Sequence, residues 1–374
     1  MNWRAALKPF VLGGSCAWWR LREAVGAGEP HAPVSMVVEN ADWAIKWYGT
    51  FIVEHANRLR PGVADVSVEP ARLSRRVVQF GSQYQWVDWQ RFMPRSNRHV
   101  VSFMHGKPED GPDVAEHIRR FLDTTPRLDR IVCSASLVLE RLAQWGVARA
   151  KLVNIPIGCE TDRFVPPTPE QRREMRMRFG IADHQVCIGS FQKDGVGWGD
   201  GEEPKPIKGP DLFLEAIDRL RREIPVFVLL TGPARGFVKR GLERLGVPFA
   251  HTYVQTREEL ARCYHALDLY LITSREEGGP MALMESMASH VPVVSTRVGM
   301  SVDLIRDGAT GALVDGTDMA QLSARALELL ALPDKGAALR AAAREAVKVA
   351  DWAVVGRRHL QEVWMPLLEA QGRP

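Results

Sequence analysis

The stretch Ser274-Arg-Glu-Glu-Gly-Gly-Pro-Met-Ala-Leu-Met-Glu-Ser-Met-Ala288 directly follows the apolar run Leu267–Thr273. The apolar run predicts a buried strand. Gly278 and Gly279 allow the backbone to approach a ligand closely. Pro280 suits the first position of a helix, where its missing N–H costs nothing. The sequence therefore predicts a strand, a glycine-containing turn and a helix, as found in doubly wound α/β sheets.

Similar apolar, β-branched runs recur on both sides of this stretch, with segments long enough for amphipathic helices between them. This alternation is typical of parallel sheets built from strand–helix–strand units. We expect two Rossmann-like, doubly wound parallel sheets, one after the other. The predicted strands are Val34–Glu39, Val66–Glu69, Arg76–Phe80, His99–Met104, Arg130–Ser134, Leu152–Ile155, Val186–Phe191, Val226–Thr231, Phe249–Tyr253, Leu267–Thr273, Val291–Ser295 and Gly311–Val314.

A proline-rich segment separates the two sets of strands. It begins at Ile155 and continues through Phe164-Val-Pro-Pro-Thr-Pro169, and few of its residues can continue a helix or donate to a sheet. We expect an N-terminal extension (residues 1–30), an N-terminal domain (31–165) completed by a helix in 352–374, and a C-terminal domain (166–351). If the two sheets face each other, a ligand cleft lies at the carboxyl ends of their strands.

The composition excludes several classes of protein. The chain has 374 residues, 45% hydrophobic and 25% charged, with a net charge of +4, which is typical of a globular protein with two domains. No apolar run approaches the roughly 18 residues of a membrane span. The five scattered cysteines include no CxxC pair, so we expect neither a zinc site nor a disulfide framework, and a cytoplasmic location.

The start of the chain leaves two interpretations. Arg4 and Lys8 precede a short apolar stretch that ends near Cys16, which faintly resembles a signal peptide. That stretch is short and broken by two glycines, so we favour an extension that packs Trp18 and Trp19 on the rest of the protein.

The turn and helix after Thr273 also suggest a binding chemistry. The amides of Met281 and Ala282, together with the helix dipole, suit a diphosphate. Glu277 precedes the helix and Glu285 lies eight positions later, so two carboxylates would project towards one ligand. By periodicity alone, a glutamate at the position of Glu285 is a solvated surface residue in most such helices.

Glu277-x7-Glu285, with Val291-Pro-Val-Val294 after it, resembles the signature of family 4 retaining glycosyltransferases of the GT-B fold (glycosyl transferases group 1). Other segments match the same family in order. They are Asp129–Ser134, Ile155–Gly158 with Phe164, Lys208–Asp211, Leu229–Gly232, Tyr264–Asp268 and Gly308–Gly311.

The resemblance implies roles for individual residues. Glu285 would hold the ribose hydroxyls of a nucleotide sugar, Glu277 would contact the transferred sugar, and Lys208 would bind the diphosphate. The family usually adds an arginine after the first strand of this domain. Here Lys193 is the nearest candidate, and lysine offers a point charge instead of a bidentate fork. Further donor contacts would come from Gly278, Gly279, Met281, Ala282, Tyr253 and Gly232.

In the first half, His105 follows a predicted strand, and the family often has a histidine there near the donor sugar. It is equally compatible with a structural role. The glycine-rich loop usual after the first strand is replaced by Glu39–Trp47. Asn40 and Asp42 in that loop are candidate acceptor residues, although capping of the following helix is an alternative use.

Residues 72–98 contain six arginines and one aspartate among several aromatic residues. We favour a solvated face over an aromatic core, with contact to an anionic membrane surface as the second interpretation. Nucleic-acid binding is third and is not expected, since the overall charge is modest and no recognised binding motif is present.

The combined expectation is a retaining, hexosyltransferase-type enzyme (EC 2.4 class) with no prosthetic group. Its donor would be a UDP-, GDP- or ADP-sugar. Its acceptor would be a glycan or a lipid-linked molecule of surface polysaccharide or glycolipid assembly, with peripheral contact at the inner membrane face. No metal is expected, because the lysines and the helix start would stabilise the leaving diphosphate and no Asp-x-Asp element is present. The alternatives are a non-catalytic GT-B domain that binds a nucleotide sugar or glycan, or another GT-B enzyme such as a nucleotide-sugar epimerase.

Overall fold

A computed structural model describes residues 14, 17–18, 31–40 and 44–372, except the side chains of Ala44 and Lys335. Asp42 and most of the first thirty residues, Trp19 among them, lie outside the described part. The described chain forms two compact units. The first comprises the residues up to Ser134, 138–158 and the segment from Trp352 onward. The second comprises residues 135–137 and 159–351.

Twelve strands alternate with helices along the described chain. The strands are β1 Val34–Val37, β2 Ala64–Ser67, β3 Val77–Phe80, β4 Arg98–Phe103, β5 Arg130–Cys133, β6 Leu152–Asn154, β7 Val186–Phe191, β8 Val226–Thr231, β9 Phe249–Thr252, β10 Leu269–Ile272, β11 Val293–Thr296 and β12 Ala312–Val314. Each lies within two residues of its predicted bounds, so the expectation of two doubly wound α/β sheets is confirmed.

The helices, apart from short 3-10 turns, connect these strands in chain order. They are α1 Ala44–Leu59, α2 Gln83–Trp89, α3 Pro112–Thr124, α4 Ser136–Gln144, α5 Pro169–Phe179, α6 Pro210–Leu220, α7 Gly236–Leu245, α8 Arg257–Tyr264, α9 Met281–Ala288, α10 Ser301–Leu304, α11 Met319–Leu330, α12 Ala337–Val347, α13 Trp352–Arg358 and, after the π-helical segment His359–Trp364, α14 Met365–Glu369. Among the described residues no helix is both long and apolar enough to span a membrane.

The first unit is a six-stranded parallel sheet of order β2-β1-β3-β4-β5-β6. The C-terminal segment packs on it, with Val363, Trp364 and Leu368 in its core. The Trp364 indole N–H donates to Gln79 Oε1 at 2.7 Å, and the Tyr48 hydroxyl lies 3.4 Å from His359 Nε2. Burial lowers the pKa of His359 to about 3, so its imidazole is neutral in this core.

The second unit is a six-stranded parallel sheet of order β12-β11-β10-β7-β8-β9. The two central neighbours, β7 and β10, pair through Leu269 and Ile188. Val228, Leu230, Leu271 and Val294 lie in the hydrophobic core of this unit. Because β8 lies on one side of β7 and β10 on the other, the strand order reverses here. Open α/β sheets bind ligands beyond the carboxyl ends of the strands at such a point.

Candidate functional site

The loops that follow β7 and β10 leave the sheet at this reversal point. The first begins at Gln192 and leads to α6, and the second, Thr273–Pro280, leads to α9. The two loops are bonded to each other, because the Thr273 hydroxyl donates to the Gly209 carbonyl at 2.9 Å. Gly209 has φ +61°, and a Cβ there would lie 1.9 Å from the Thr273 carbonyl oxygen. Only glycine allows this approach.

An ion pair also joins the two loops. Lys208 Nζ lies 2.6 Å from Glu277 Oε1, and the Ser274 hydroxyl donates to the same oxygen at 3.0 Å. Glu277 is 6% exposed, so its charge requires a close partner. The structure therefore brings together the two side chains that the sequence motif assigned to the sugar and the diphosphate.

The glycine turn before α9 is held by a second close backbone approach. The Gly278 carbonyl accepts from the Met300 amide at 3.1 Å. Gly299 has φ +43°, and a Cβ there would lie 2.3 Å from the Gly278 oxygen. The helix begins at Met281, with Pro280 as its cap and not its first residue. The amides of Met281 and Ala282 fall in the first turn, where N–H groups have no acceptor within the helix.

Glu285 is buried, with 2% of its surface exposed. The Tyr264 hydroxyl donates to its Oε2 at 2.7 Å, and Arg257 Nη1 lies 2.8 Å from its Oε1. The interpretation of Glu285 as a solvated surface glutamate is therefore wrong. Burial, reinforced by the neighbouring Glu285 charge, raises the pKa of Tyr264 well above its ordinary value, so the hydroxyl remains a donor.

Lys193 lies on an aromatic ring. Its Nζ is 3.7 Å from the centre of the Trp198 ring, and Trp198 is 70% exposed. The loop that carries both residues doubles back on itself, because the Lys205 amide donates to the Asp194 carbonyl at 2.7 Å. Burial, with the charges of Lys193 and Lys208, lowers the pKa of Lys205. Sequence patterns gave no indication of Trp198 or Lys205 in this region.

The remaining candidates are divided between the units. In the second, Tyr253 is exposed, and the Gly232 carbonyl oxygen lies 2.8 Å from His251 Nε2. In the first, His105 follows β4, and its carbonyl accepts from the Gln83 side chain at 3.1 Å. Asn40 is exposed after β1. The structure therefore pairs Lys208 with Glu277 before α9 and buries Glu285 within α9, while His105 and Asn40 belong to the first unit.

The basic aromatic stretch 72–98 has two parts. Phe80 and Trp86 are buried, and Arg76 is buried with its guanidinium bonded to the Ser74 and Ala32 carbonyls. Exposed basic side chains of the stretch are those of Arg75, Arg91 and Arg95. The core interpretation therefore holds for the buried members of the stretch.

In the part of the chain described above, no group of three or more histidine, cysteine, aspartate or glutamate side chains could hold a metal ion. The described cysteines Cys133, Cys159, Cys187 and Cys263 are buried free thiols. Burial raises the pKa of Cys133 to about 12.

The family model described as "Glycosyl transferases group 1" matches residues 204–346, the span that contains Lys208, Glu277 and Glu285. The matched residues lie within the second unit, which over this span is similar to group 1 glycosyl transferases. Glu277, Glu285, the Lys208 turn and the start of α9 all lie within the matched span.

The curated relatives match this chain over about half of their own length. The chain is 33% identical over 211 residues to the GDP-mannose-dependent alpha-(1-6)-phosphatidylinositol monomannoside mannosyltransferase of Mycolicibacterium smegmatis, covering 52% of this chain and 51% of that protein. It is 30% identical over 226 residues to the D-inositol 3-phosphate glycosyltransferase of Geodermatophilus obscurus, covering 54% and 46%. The chain thus spans about half the length of the curated relatives it matches.

Two solved structures superpose on about nine tenths of the chain. Anabaena HepE in complex with UDP and glucose superposes with a TM-score of 0.70 at 15% identity, covering 89% of this chain and 99% of that one. Sucrose-phosphate synthase from Thermosynechococcus elongatus gives 0.71 at 16% identity, covering 91% and 100%. At these identities the likeness shows the fold, which is GT-B.

Proposed function

We propose that the protein is a retaining glycosyltransferase that moves a sugar from a nucleoside diphosphate sugar onto an acceptor hydroxyl. The observation that carries the proposal is the Lys208–Glu277 ion pair at the strand-order reversal, beside the start of α9. A cation and free helix amides next to a buried carboxylate suit a ligand with an anionic and a hydroxyl-rich end. The group 1 family match over residues 204–346 supports the same assignment.

In this proposal Lys208, Lys193 and the amides of Met281 and Ala282 bind the diphosphate, together with the turn at Gly278 and Gly279. Glu277 accepts hydrogen bonds from the transferred sugar, and Glu285 accepts from the ribose. Tyr253 and Gly232 border the nucleoside. The printed description of HepE, a GT-B neighbour, includes UDP and glucose, which supports a nucleotide sugar as donor.

The proposed chemistry breaks the bond between the anomeric carbon and the diphosphate oxygen, and the bonding electrons leave with the nucleoside diphosphate. The acceptor oxygen forms its bond to the same carbon on the same face, and its proton passes to the departing phosphate. Lysine charges and helix amides stabilise that leaving group directly. No metal ion and no carboxylate base are assigned to the step. His105, on the first sheet, is proposed to position the donor sugar.

The acceptor is proposed to be a glycan or a lipid-linked molecule in surface polysaccharide or glycolipid assembly. Two relatives have names that refer to a phosphatidylinositol mannoside and to inositol phosphate. Asn40 and Asp42, after β1, are the proposed acceptor-side residues. The exposed Arg75, Arg91 and Arg95 would give peripheral contact with an anionic membrane surface, with the protein on the cytoplasmic side.

Calorimetric titration with UDP, GDP and ADP tests the donor assignment. We expect one nucleotide to bind at micromolar strength, and Glu285→Ala and Lys208→Ala each to weaken it at least tenfold, about 1.4 kcal/mol. Lys348→Ala is the matched control, because Lys348 forms an exposed pair with Glu345 in the same unit. If no nucleotide binds, the proposal fails.

Turnover is tested separately with the sugar form of the nucleotide that binds. Release of nucleoside diphosphate that requires an added acceptor supports sugar transfer. Conversion of the donor without an acceptor would indicate an epimerase. Tight binding without turnover under every acceptor would indicate the non-catalytic domain.

A further inference from the structure

An arginine absent from the motif links two buried carboxylates beside α9. Arg257, the first residue of α8, lies with Nη1 2.8 Å from Glu285 Oε1 and donates from Nε to Glu160 Oε2 at 2.8 Å. Its side chain is 31% exposed, whereas those of Glu285 and Glu160 are 3% and 10% exposed. Arg257 is therefore the most exposed of the three side chains, and Glu285 is the most buried.

Arg257 is itself held in place. Its guanidinium carbon lies 5.0 Å from the centre of the Phe164 ring, a distance typical of a cation–π contact. Glu160 is also bound on its other side by Arg163, at 3.1 Å. The guanidinium can therefore hold the Glu285 carboxylate in one orientation, because its planar fork contacts two carboxylates at once.

The hydrogen-bonding capacity of Glu285 shows how many acceptor positions its carboxylate keeps for a ligand. A carboxylate offers about four acceptor positions, two on each oxygen. Arg257 lies at ion-pair distance from Oε1 without a hydrogen bond to it, and the Tyr264 hydroxyl occupies one position on Oε2. Tyr264 is fixed between the rings of Phe164 and Phe191, with centroids 5.6 and 4.8 Å away. Oε1 is therefore a buried acceptor without a hydrogen-bond donor and Oε2 keeps one acceptor position, so each oxygen can accept from one of two adjacent hydroxyls.

We infer that Arg257 is a positioning residue that orients Glu285 for the vicinal diol of ribose, and thereby sets a preference for ribonucleotides over 2′-deoxyribonucleotides. The inference rests on the proposed function, since it requires a nucleotide at Glu285. Arg257 acts through the carboxylate: without its charge Glu285 is a buried anion that has lost its ion-pair partner, free to rotate away from the diol.

Calorimetry with matched nucleotide pairs tests the inference: UDP against 2′-deoxy-UDP, and likewise for GDP and ADP. A hydrogen bond to a charged group favours the ribonucleotide by about 10- to 100-fold in the wild type. In Arg257→Met we expect this ratio to fall below about threefold. Adding Glu285→Gln to Arg257→Met should then change the ratio no further, because both substitutions disrupt the same contact.

Arg163→Met is the matched control, since Arg163 binds the same Glu160 but is not among the Glu285 contacts. It should keep the wild-type ratio. Equal weakening of both nucleotides by Arg257→Met, with the ratio unchanged, would overturn the inference, as would additive effects of the two substitutions. If Arg257→Met does not fold, Arg257→Lys serves instead. Lysine lacks the fork, so the ratio should fall at least threefold, and an unchanged ratio would refute the positioning role.

Failure of this inference differs from failure of the proposed function. If the wild type binds no nucleoside diphosphate, the donor site itself is wrong and the inference falls with it. If it binds ribo- and deoxyribonucleotides equally, the donor site stands, but Glu285 does not accept from the 2′-hydroxyl, and the inference is overturned.

Discussion

Replacing Arg235 with methionine should cost the second unit about 3–5 kcal/mol, because it leaves a buried carboxylate without its partner. Arg235 is fully buried, as is the Asp194 carboxylate that it pairs with at 3.0 Å. The guanidinium also donates to the Ser190 hydroxyl at 2.9 Å and to the Thr231 carbonyl at 2.8 Å. Methionine fills much of the volume but satisfies none of these acceptors.

The double variant separates the charge from the packing. The double variant Arg235→Met, Asp194→Leu removes both ions of this buried pair. Apolar replacement of a whole buried pair is often close to neutral in stability. We therefore expect much of the lost stability to return. The Asp194 carbonyl also accepts from the Lys205 amide, which holds the loop that carries Lys193. Nucleotide affinity should therefore fall in Arg235→Met, and in the double variant it should recover less completely than stability.

Urea unfolding followed by circular dichroism gives the change in midpoint at constant slope. Arg219→Met is the control, because Arg219 forms an exposed pair with Glu215 at 3.0 Å, and such pairs contribute only about 0.3–0.5 kcal/mol. A loss below about 1 kcal/mol for Arg235→Met, or a double variant less stable than the single one, would refute the reasoning.

Three further outcomes follow from the same contacts. Burial lowers the pKa of His99 to about 4 and of His359 to about 3. In the unfolded chain these histidines have a pKa near 6.5, so the unfolded state takes up protons before the folded state does as the pH falls. The first unit should lose roughly 4 kcal/mol between pH 7 and 5, and equal urea midpoints at these pH values would contradict this. Gly299→Ala should weaken nucleotide binding at least tenfold by displacing Gly278, whereas Gly316→Ala, also at positive φ but in open space, should leave the affinity unchanged in the same titration. Trp364→Phe should lower stability by about 1–3 kcal/mol, measured by thermal unfolding, because the buried Gln79 oxygen loses its donor; an unchanged melting temperature would show that this bond contributes nothing.

The strands could be predicted because parallel strands are covered on both faces and therefore appear as continuous apolar runs. Val226–Thr231 is buried at every position and was predicted with its observed bounds. The ends of the strands were predicted less accurately. The apolar run Leu267–Thr273 contains the shorter strand Leu269–Ile272, since residues at a strand end can remain buried after the ladder of hydrogen bonds has stopped.

The surroundings of Glu285 could not be predicted from one helix. The periodicity of Met281–Ala288 defines which residues share a face, but not what covers that face. Arg257 and Tyr264 of α8 contact the Glu285 carboxylate, and Glu160, before α5, binds Arg257 in turn. These contacts join distant parts of the chain, and no local pattern links an arginine at the start of one helix to a glutamate inside another. The motif identified the carboxylate, while its environment needed the tertiary structure.

The position of Lys193 bears on the missing arginine. An arginine would bind phosphate oxygens through a planar fork, whereas Lys193 packs on Trp198 and carries a single charge. The loop carries further lysines, because its reversal at Asp194 returns the chain to Lys205, three residues before Lys208. Burial, with the charges of Lys193 and Lys208, lowers the pKa of Lys205. Glu277 is the described carboxylate that pairs with this set, through Lys208. Three lysines and one carboxylate leave an excess of positive charge at the carboxyl end of β7. A diphosphate bound there would neutralise that excess and relieve the repulsion, so lysine in place of arginine is physically compatible with the proposed donor site.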